Sequence, residues 1–300
     1  MIHLTDVEIP SIQFRKFGNP VPANLLGVFF ALTSAAVWGS GDFSGGQATR
    51  KSHQYQVLML AALSGMVVLV VCAIIRGEGV PSGRNFLWGA MAGSAGALGM
   101  AALYKALSMG NTASIAPTSA ITCAALPVVF GMLTAGLPKF TQLCGFVLAF
   151  LGIWLVSRSP TAGDKTFREG MVLAFLSGIG FGGFFIFIAQ VGKEQVFMPI
   201  LVARTVTLGI AFIMLRLNHL PTPGLTSNPL ALLAGVLDTG GNIFYLLATQ
   251  FTRLDIAALL SSFYPAATVI LARIILKEVV SSAQWAGMIL CLLALTLIII

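Results

Sequence analysis

The chain has 300 residues, of which 57% are hydrophobic and only 9% charged, with a mean hydropathy of +0.93. A soluble domain keeps its surface wet with about a quarter of its residues charged, so this composition excludes a soluble globular fold. The net charge of +7 is scattered through short links rather than gathered into a stripe, which argues against nucleic acid as a partner and for a lipid bilayer.

A helix crosses a ~30 Å hydrocarbon core with ~20 mostly apolar residues, and ten segments qualify, which predicts an all-α polytopic membrane protein. Residues 1–23 precede them and hold Asp6, Glu8, Arg15 and Lys16, so they read as a flexible tail rather than a signal peptide. The first span, 25–46, places Trp38 and Asp42 one turn apart near its end, where Asp42 reads as a wet span end. The second covers 54–76. The third, 85–108, carries Gly89, Gly93, Gly96 and Gly99, then Tyr104 and Lys105, the latter placed to snorkel. The fourth, 112–135, holds Pro117 and Pro127 with Thr118, Ser119 and Thr122, and the fifth covers 140–158. The sixth, 169–191, mixes Gly178, Gly180, Gly182 and Gly183 with Phe181, Phe184 and Phe185. The seventh, 195–216, has Arg204 at its middle. The eighth, 229–250, holds Asp238, Asn242 and Tyr245 on one helical face, with Gly235, Gly240 and Gly241. The ninth, 255–276, carries Ser261, Ser262, Tyr264 and Pro265, and the tenth covers 282–300. Cys72, Cys123, Cys144 and Cys291 fall within spans without close pairing, as small buried thiols do. Lysines and arginines divide evenly between the two sides, so charge does not orient the chain.

The two halves repeat. A shift of 143 carries Gly27, Ala31, Ser34 and Gly39 onto Gly170, Ala174, Ser177 and Gly182. A shift of 142 carries Gly93 and Gly99 onto Gly235 and Gly241, Ser119 onto Ser261, and Gln142 and Gly145 onto Gln284 and Gly287. The repeats are expected over 24–158 and 169–300, five spans each. An odd number of spans makes the second half enter the membrane from the opposite side. Two inverted five-helix repeats with a site at their midplane interface are an architecture of secondary transporters. Pro117 and Pro127 in the fourth span and Pro265 in its partner, the ninth, point to the binding region by the same logic.

The chain resembles the drug/metabolite transporter superfamily, in its EamA-type branch. The likeness rests on Trp38-Gly39-Ser40-Gly41-Asp42-Phe43, on Ala257 to Pro265, on the Lys277-Glu278 pair and on Gln284-Trp285-Ala286-Gly287, and it covers roughly residues 25–300. The first half departs from the pattern, because Gly136 stands where the repeat would place Glu278. The resemblance implies movement of small metabolites without ATP and with both termini in the cytoplasm.

An ionisable group deep in a membrane asks for a reason. Asp238, with Asn242 and Tyr245 beside it, reads as a cavity wall able to exchange protons, or as the partner of Arg204 in a structural ion pair. Arg204 could equally hold a substrate carboxylate. Trp38, Asp42, Tyr104, Ser119, Ser261 and Tyr264 complete the candidate set around a mostly apolar pocket suited to an amphiphilic small molecule. The expected function is alternating-access transport, in the export direction, of amino acids or related compounds, with or without proton coupling. The expected location is the plasma (inner) membrane, the expected assembly a monomer or homodimer, and no cofactor or metal is called for. The alternative is an intramembrane aspartyl protease, since Gly39-Ser40-Gly41-Asp42 and Asp238-Thr239-Gly240 supply two membrane carboxylates. Against it, Asp238-Thr239-Gly240 sits within an apolar helix rather than on a strand-derived loop. No Walker A, H-E-x-x-H or G-x-S-x-G motif occurs.

Overall fold

Inside a bilayer every backbone N–H and C=O must find its partner within the protein, which makes the α-helix the natural form of a long apolar stretch. The computed structural model follows this rule. It describes residues 23–135, 140–156, 164–188, 190–191, 195, 197–251, 260–261 and 263–299. Through them run α1 (Ala23–Thr49), α2 (Gln54–Arg76), α3 (Gly83–Ser108), α4 (Thr112–Ala135), α5 (Phe140–Val156), α6 (Lys165–Ile188), α7 (Phe197–Leu217), α8 (Pro229–Phe251), α9 (Tyr264–Ile275) and α10 (Ser282–Ile299). Among the described residues there is no strand. Among the described residues six helices, α1, α2, α3, α6, α7 and α8, are long and apolar enough to cross a membrane, while α5, α9 and α10 hold shorter apolar stretches. Apart from Ala23, the expected N-terminal tail lies outside the described residues.

The helix ends have local causes. α2 opens on a reciprocal cap in which His53 Nδ1 accepts from the Tyr55 N–H (3.4 Å) and Gln56 Oε1 accepts from the His53 N–H (3.1 Å). Accepting at Nδ1 suits a neutral imidazole, and partial burial together with the Lys105 ammonium pushes the His53 pKa below its ordinary value. Gly77 ends α2 in the left-handed conformation (φ 64°), which a residue without Cβ adopts freely. The prolines behave differently from their expected pairing. α4 runs unbroken through Pro117, whereas α9 starts at Tyr264 with Pro265 in its first turn, where a missing N–H leaves no helical bond unmade. In the ninth span residues 260–261 are helical and α9 begins at Tyr264, while residues 252–259 and 262 lie outside the described residues.

Packing relates the halves as partners. α1 packs on α8 and α9, and α6 packs on α3 and α4, the same arrangement with the halves exchanged. Likewise α3 meets α7 as α8 meets α2, and α5 lies against α10. Single residues repeat the pattern. A Cβ on Gly93 would sit 2.6 Å from the Ala203 Cα, and one on its equivalent Gly235 would sit 2.6 Å from the carbonyl carbon of Ala61, the residue equivalent to Ala203. Ser34 Oγ donates to the Gly241 carbonyl (2.8 Å), while the equivalent Ser177 lies against Gly99, the equivalent of Gly241. Small residues thus form the helix contacts, and large apolar side chains such as Phe29, Ile74, Phe150 and Ile274 point outward. That inversion of the soluble pattern fits helices whose outer faces meet lipid.

Glu278 follows the basic residues Arg273 and Lys277 in sequence. Its carboxylate instead crosses to the first half, accepting from the Thr112 N–H (3.0 Å) and hydroxyl (3.3 Å) and lying 3.7 Å from Arg50. Arg273 donates to the Glu278 backbone carbonyl (3.0 Å). A carboxylate at the first turn of α4 satisfies an otherwise orphan N–H and complements the helix dipole, so this residue ties the two halves together at one end of the bundle.

Candidate functional site

Seven helices, α1, α3, α4, α6, α7, α8 and α9, line a half-open cavity of about 100 Å³ between the halves. Its wall comprises Trp38, Asp42, Gly93, Gly96, Met100, Cys123, Phe181, Phe184, Phe185, Ile200, Ala203, Arg204, Thr207, Asp238, Asn242 and Tyr264. The glycines let α3 come close to α6 and α7, while the aromatic side chains of α1, α6 and α9 give the space apolar faces.

Charge is concentrated at one place. Arg204, 8% exposed, forms an ion pair with Asp238 across α7 and α8. Its guanidinium also approaches the Met100 sulfur at 4.0 Å. The backbone around Asp238 is held as firmly. Its carbonyl accepts from the Trp38 indole N–H (3.1 Å) and from the Asn242 side-chain amide (2.8 Å). Trp38 sits against Gly241, which has no side chain to obstruct it, and contacts Tyr245 (ring centroids 5.7 Å) and Tyr264 edge-on (6.5 Å, 81°). The Thr239 hydroxyl beside this centre is buried without a hydrogen-bond partner among the described residues.

Of the residues singled out from the sequence, Trp38, Asp42, Arg204, Asp238, Asn242 and Tyr264 meet at this cavity. The structure takes up the ion-pair alternative for Asp238. Asp42, expected as a wet span end, faces the cavity instead, because the close approach of α1 to α8 at Gly41 carries that part of α1 into the interface. The other four lie elsewhere. Tyr245 backs Trp38 from behind. Tyr104, 1% exposed, fills the space beside Gly45 in the core, where its ring packs rather than lines. Ser119 hydrogen-bonds Ser177 (3.0 Å), joining α4 to α6, and the equivalent Ser261 donates to the Ala31 carbonyl (3.3 Å). Thr118 and Thr122 bond back to carbonyls of their own helix. Ser262 lies outside the described residues. All four cysteines are free; Cys123 and Cys291 are buried, whereas Cys72 and Cys144 are only partly so. Met100, Cys123 and Thr207 were not anticipated as lining residues. Thr207 follows Arg204 by three positions on α7, a spacing that could have marked it.

Asp42 and Asp238 share the cavity, but they do not form an acid-protease pair. Such a pair shares a proton between two carboxylates, and Asp238 is committed to Arg204.

Comparison with known proteins agrees with the architecture. Among the solved structures similar to the chain is a crystal structure with a TM-score of 0.61 over 90% of this chain and 95% of that one at 16% identity, a likeness of fold alone. No curated protein matches the chain. The family model of EamA-like transporters matches residues 25–158 and again residues 168–300, once for each half of the packing described above. The paired halves, the lipid-facing exterior and this double match lead to one conclusion: the chain belongs to the EamA-like transporter family of the drug/metabolite transporter superfamily.

Proposed function

We propose that the chain is a secondary transporter of the plasma membrane that exports small amphiphilic solutes, amino acids or close relatives, by alternating access. Ten spans in two inverted units, residues 24–158 and 169–300, would rock about the cavity between them. The observation that carries this reading is the Arg204–Asp238 pair in the wall of a cavity built by both halves. An uncompensated charge there is costly, so an opening pair needs replacement partners. A solute carboxylate arriving at Arg204 offers a bidentate partner, and the Asp238 carboxylate so released takes up a proton. Release of the solute reverses both steps. Proton and solute then bind together and leave together, so they cross in the same direction, and export by this cycle runs down the outward gradient of the solute.

The test is solute flux into proteoliposomes containing the purified chain, with a mixed amino-acid and metabolite pool and with or without a pH gradient. Saturable flux that follows the gradient, and that loses its pH dependence in Asp238→Asn, is expected. Flux indifferent to both the gradient and the substitution would refute the coupling and leave the pair a structural role.

A further inference from the structure

The cavity contains two carboxylates and one cation, and the cation is already engaged. Arg204 pairs with Asp238, so these two contribute no net charge. Asp42 remains. Among the described residues no donor or cation lies within hydrogen-bonding or ion-pair distance of its carboxylate. Cys123 and Tyr264, which line the cavity with it, are weak acids that bring no positive charge. An unpaired ionised carboxylate facing an apolar chamber is costly, so it either holds a proton or is met by something cationic.

The surroundings specify what kind of cation fits. Trp38 stands one turn before Asp42, and Tyr264 and Phe181 line the same space. Aromatic faces attract cations and accept a flat apolar body. The space exceeds what a bare ion needs. The repeat also makes the acid one-sided. Under the shift of 143 the equivalent of Asp42 is Phe185, and under the shift of 142 the equivalent of Asp238 is Gly96. The cavity is thus built by both halves but asymmetric in charge, which orients whatever binds.

We propose that Asp42 binds the protonated amine of the solute, with the solute's apolar body against Trp38, Tyr264 and Phe181. The proposal rests on the cavity being the solute site, as argued above, and adds that Asp42 is the residue that receives the solute's ammonium group. In a zwitterion the ammonium goes to α1 and the carboxylate to Arg204 on α7.

Equilibrium binding tests this without requiring transport. The full chain in nanodiscs is titrated calorimetrically with 2-phenylethylamine, with its neutral analogue 2-phenylethanol, and with the anion 3-phenylpropionate. The amine should bind about tenfold or more tightly than the alcohol, as a charge-assisted hydrogen bond allows. In Asp42→Asn the amine should fall to the level of the alcohol, while alcohol binding changes less than about twofold, the margin expected for a pocket left intact. The idea is overturned by equal binding of amine and alcohol to the native chain, by an amine advantage that survives Asp42→Asn, by a loss of anion binding in Asp42→Asn as large as the loss of amine binding, or by no amine binding at millimolar concentration. A chain that binds the amine but shows no flux keeps this proposal and loses the transport mechanism. Flux without amine preference does the reverse.

Discussion

Replacing Arg204 with Met while Asp238 stays is expected to destabilise the folded chain by about 3–5 kcal/mol, the range for breaking a buried ion pair from one side. The size follows from position. The two side chains are 10% and 18% exposed, and the nearest described contact of the guanidinium beyond Asp238 is the Met100 sulfur at 4.0 Å, a weak acceptor. Removal of the guanidinium leaves the carboxylate without its cation in a largely apolar wall. Removing both charges, as Arg204→Met with Asp238→Leu, should recover most of the loss, because an apolar pair of similar volume carries no desolvation cost. Thermal unfolding of the single and double variants in the same detergent gives the coupling directly. Strictly additive losses would mean that the pair is not the interaction described here.

The second large effect is expected at the close helix contacts. Gly93→Ala and Gly235→Ala should each cost about 1–3 kcal/mol, as overpacking of a tight core does. Both added methyl groups meet backbone atoms, which cannot rotate aside: Ala203 in one case and Ala61 in the other. Because the two sites are equivalent under the repeat, the two losses should be similar. Gly209→Ala is the control. It lies on α7 with nothing within 4 Å of an added Cβ, and alanine is the better helix former, so its unfolding temperature should stay level or rise. A neutral effect at Gly93 or Gly235 would contradict the close approach of the helices.

Much of this arrangement is legible in the residues themselves. Apolar length marked the helices, and the shifts of 142 and 143 identified partners that the structure places in equivalent contacts, Gly93 with Gly235 and Ser34 with Ser177. The polar face of the eighth span divides in the structure, with Asp238 and Asn242 on the cavity and Tyr245 behind Trp38. What stayed hidden depends on neighbours. A helical wheel tells which residues share a face but not what covers it, so Tyr104 and Ser119 looked like pocket polar groups and proved to be core packing. Asp42 lies near the end of an apolar run, where hydropathy places water; only the packing of α1 against α8 and α9 turns it inward. Glu278 has basic neighbours in sequence, yet its partners Thr112 and Arg50 come from the other half. Pro265 reads as an interruption, and only the start of α9 at Tyr264 shows it to be a helix's first turn.

The central claim is that one site between two halves is presented to each side of the membrane in turn. Counterflow tests it most directly. Proteoliposomes are preloaded with an unlabelled solute found in the flux assay, and the entry of the same solute in labelled form is followed after dilution. A carrier whose single site returns faster when occupied should show transient accumulation of label above its external concentration, driven by the outward solute gradient. Entry of label that only equilibrates, at a rate indifferent to preloading, would describe an open pathway and contradict the account.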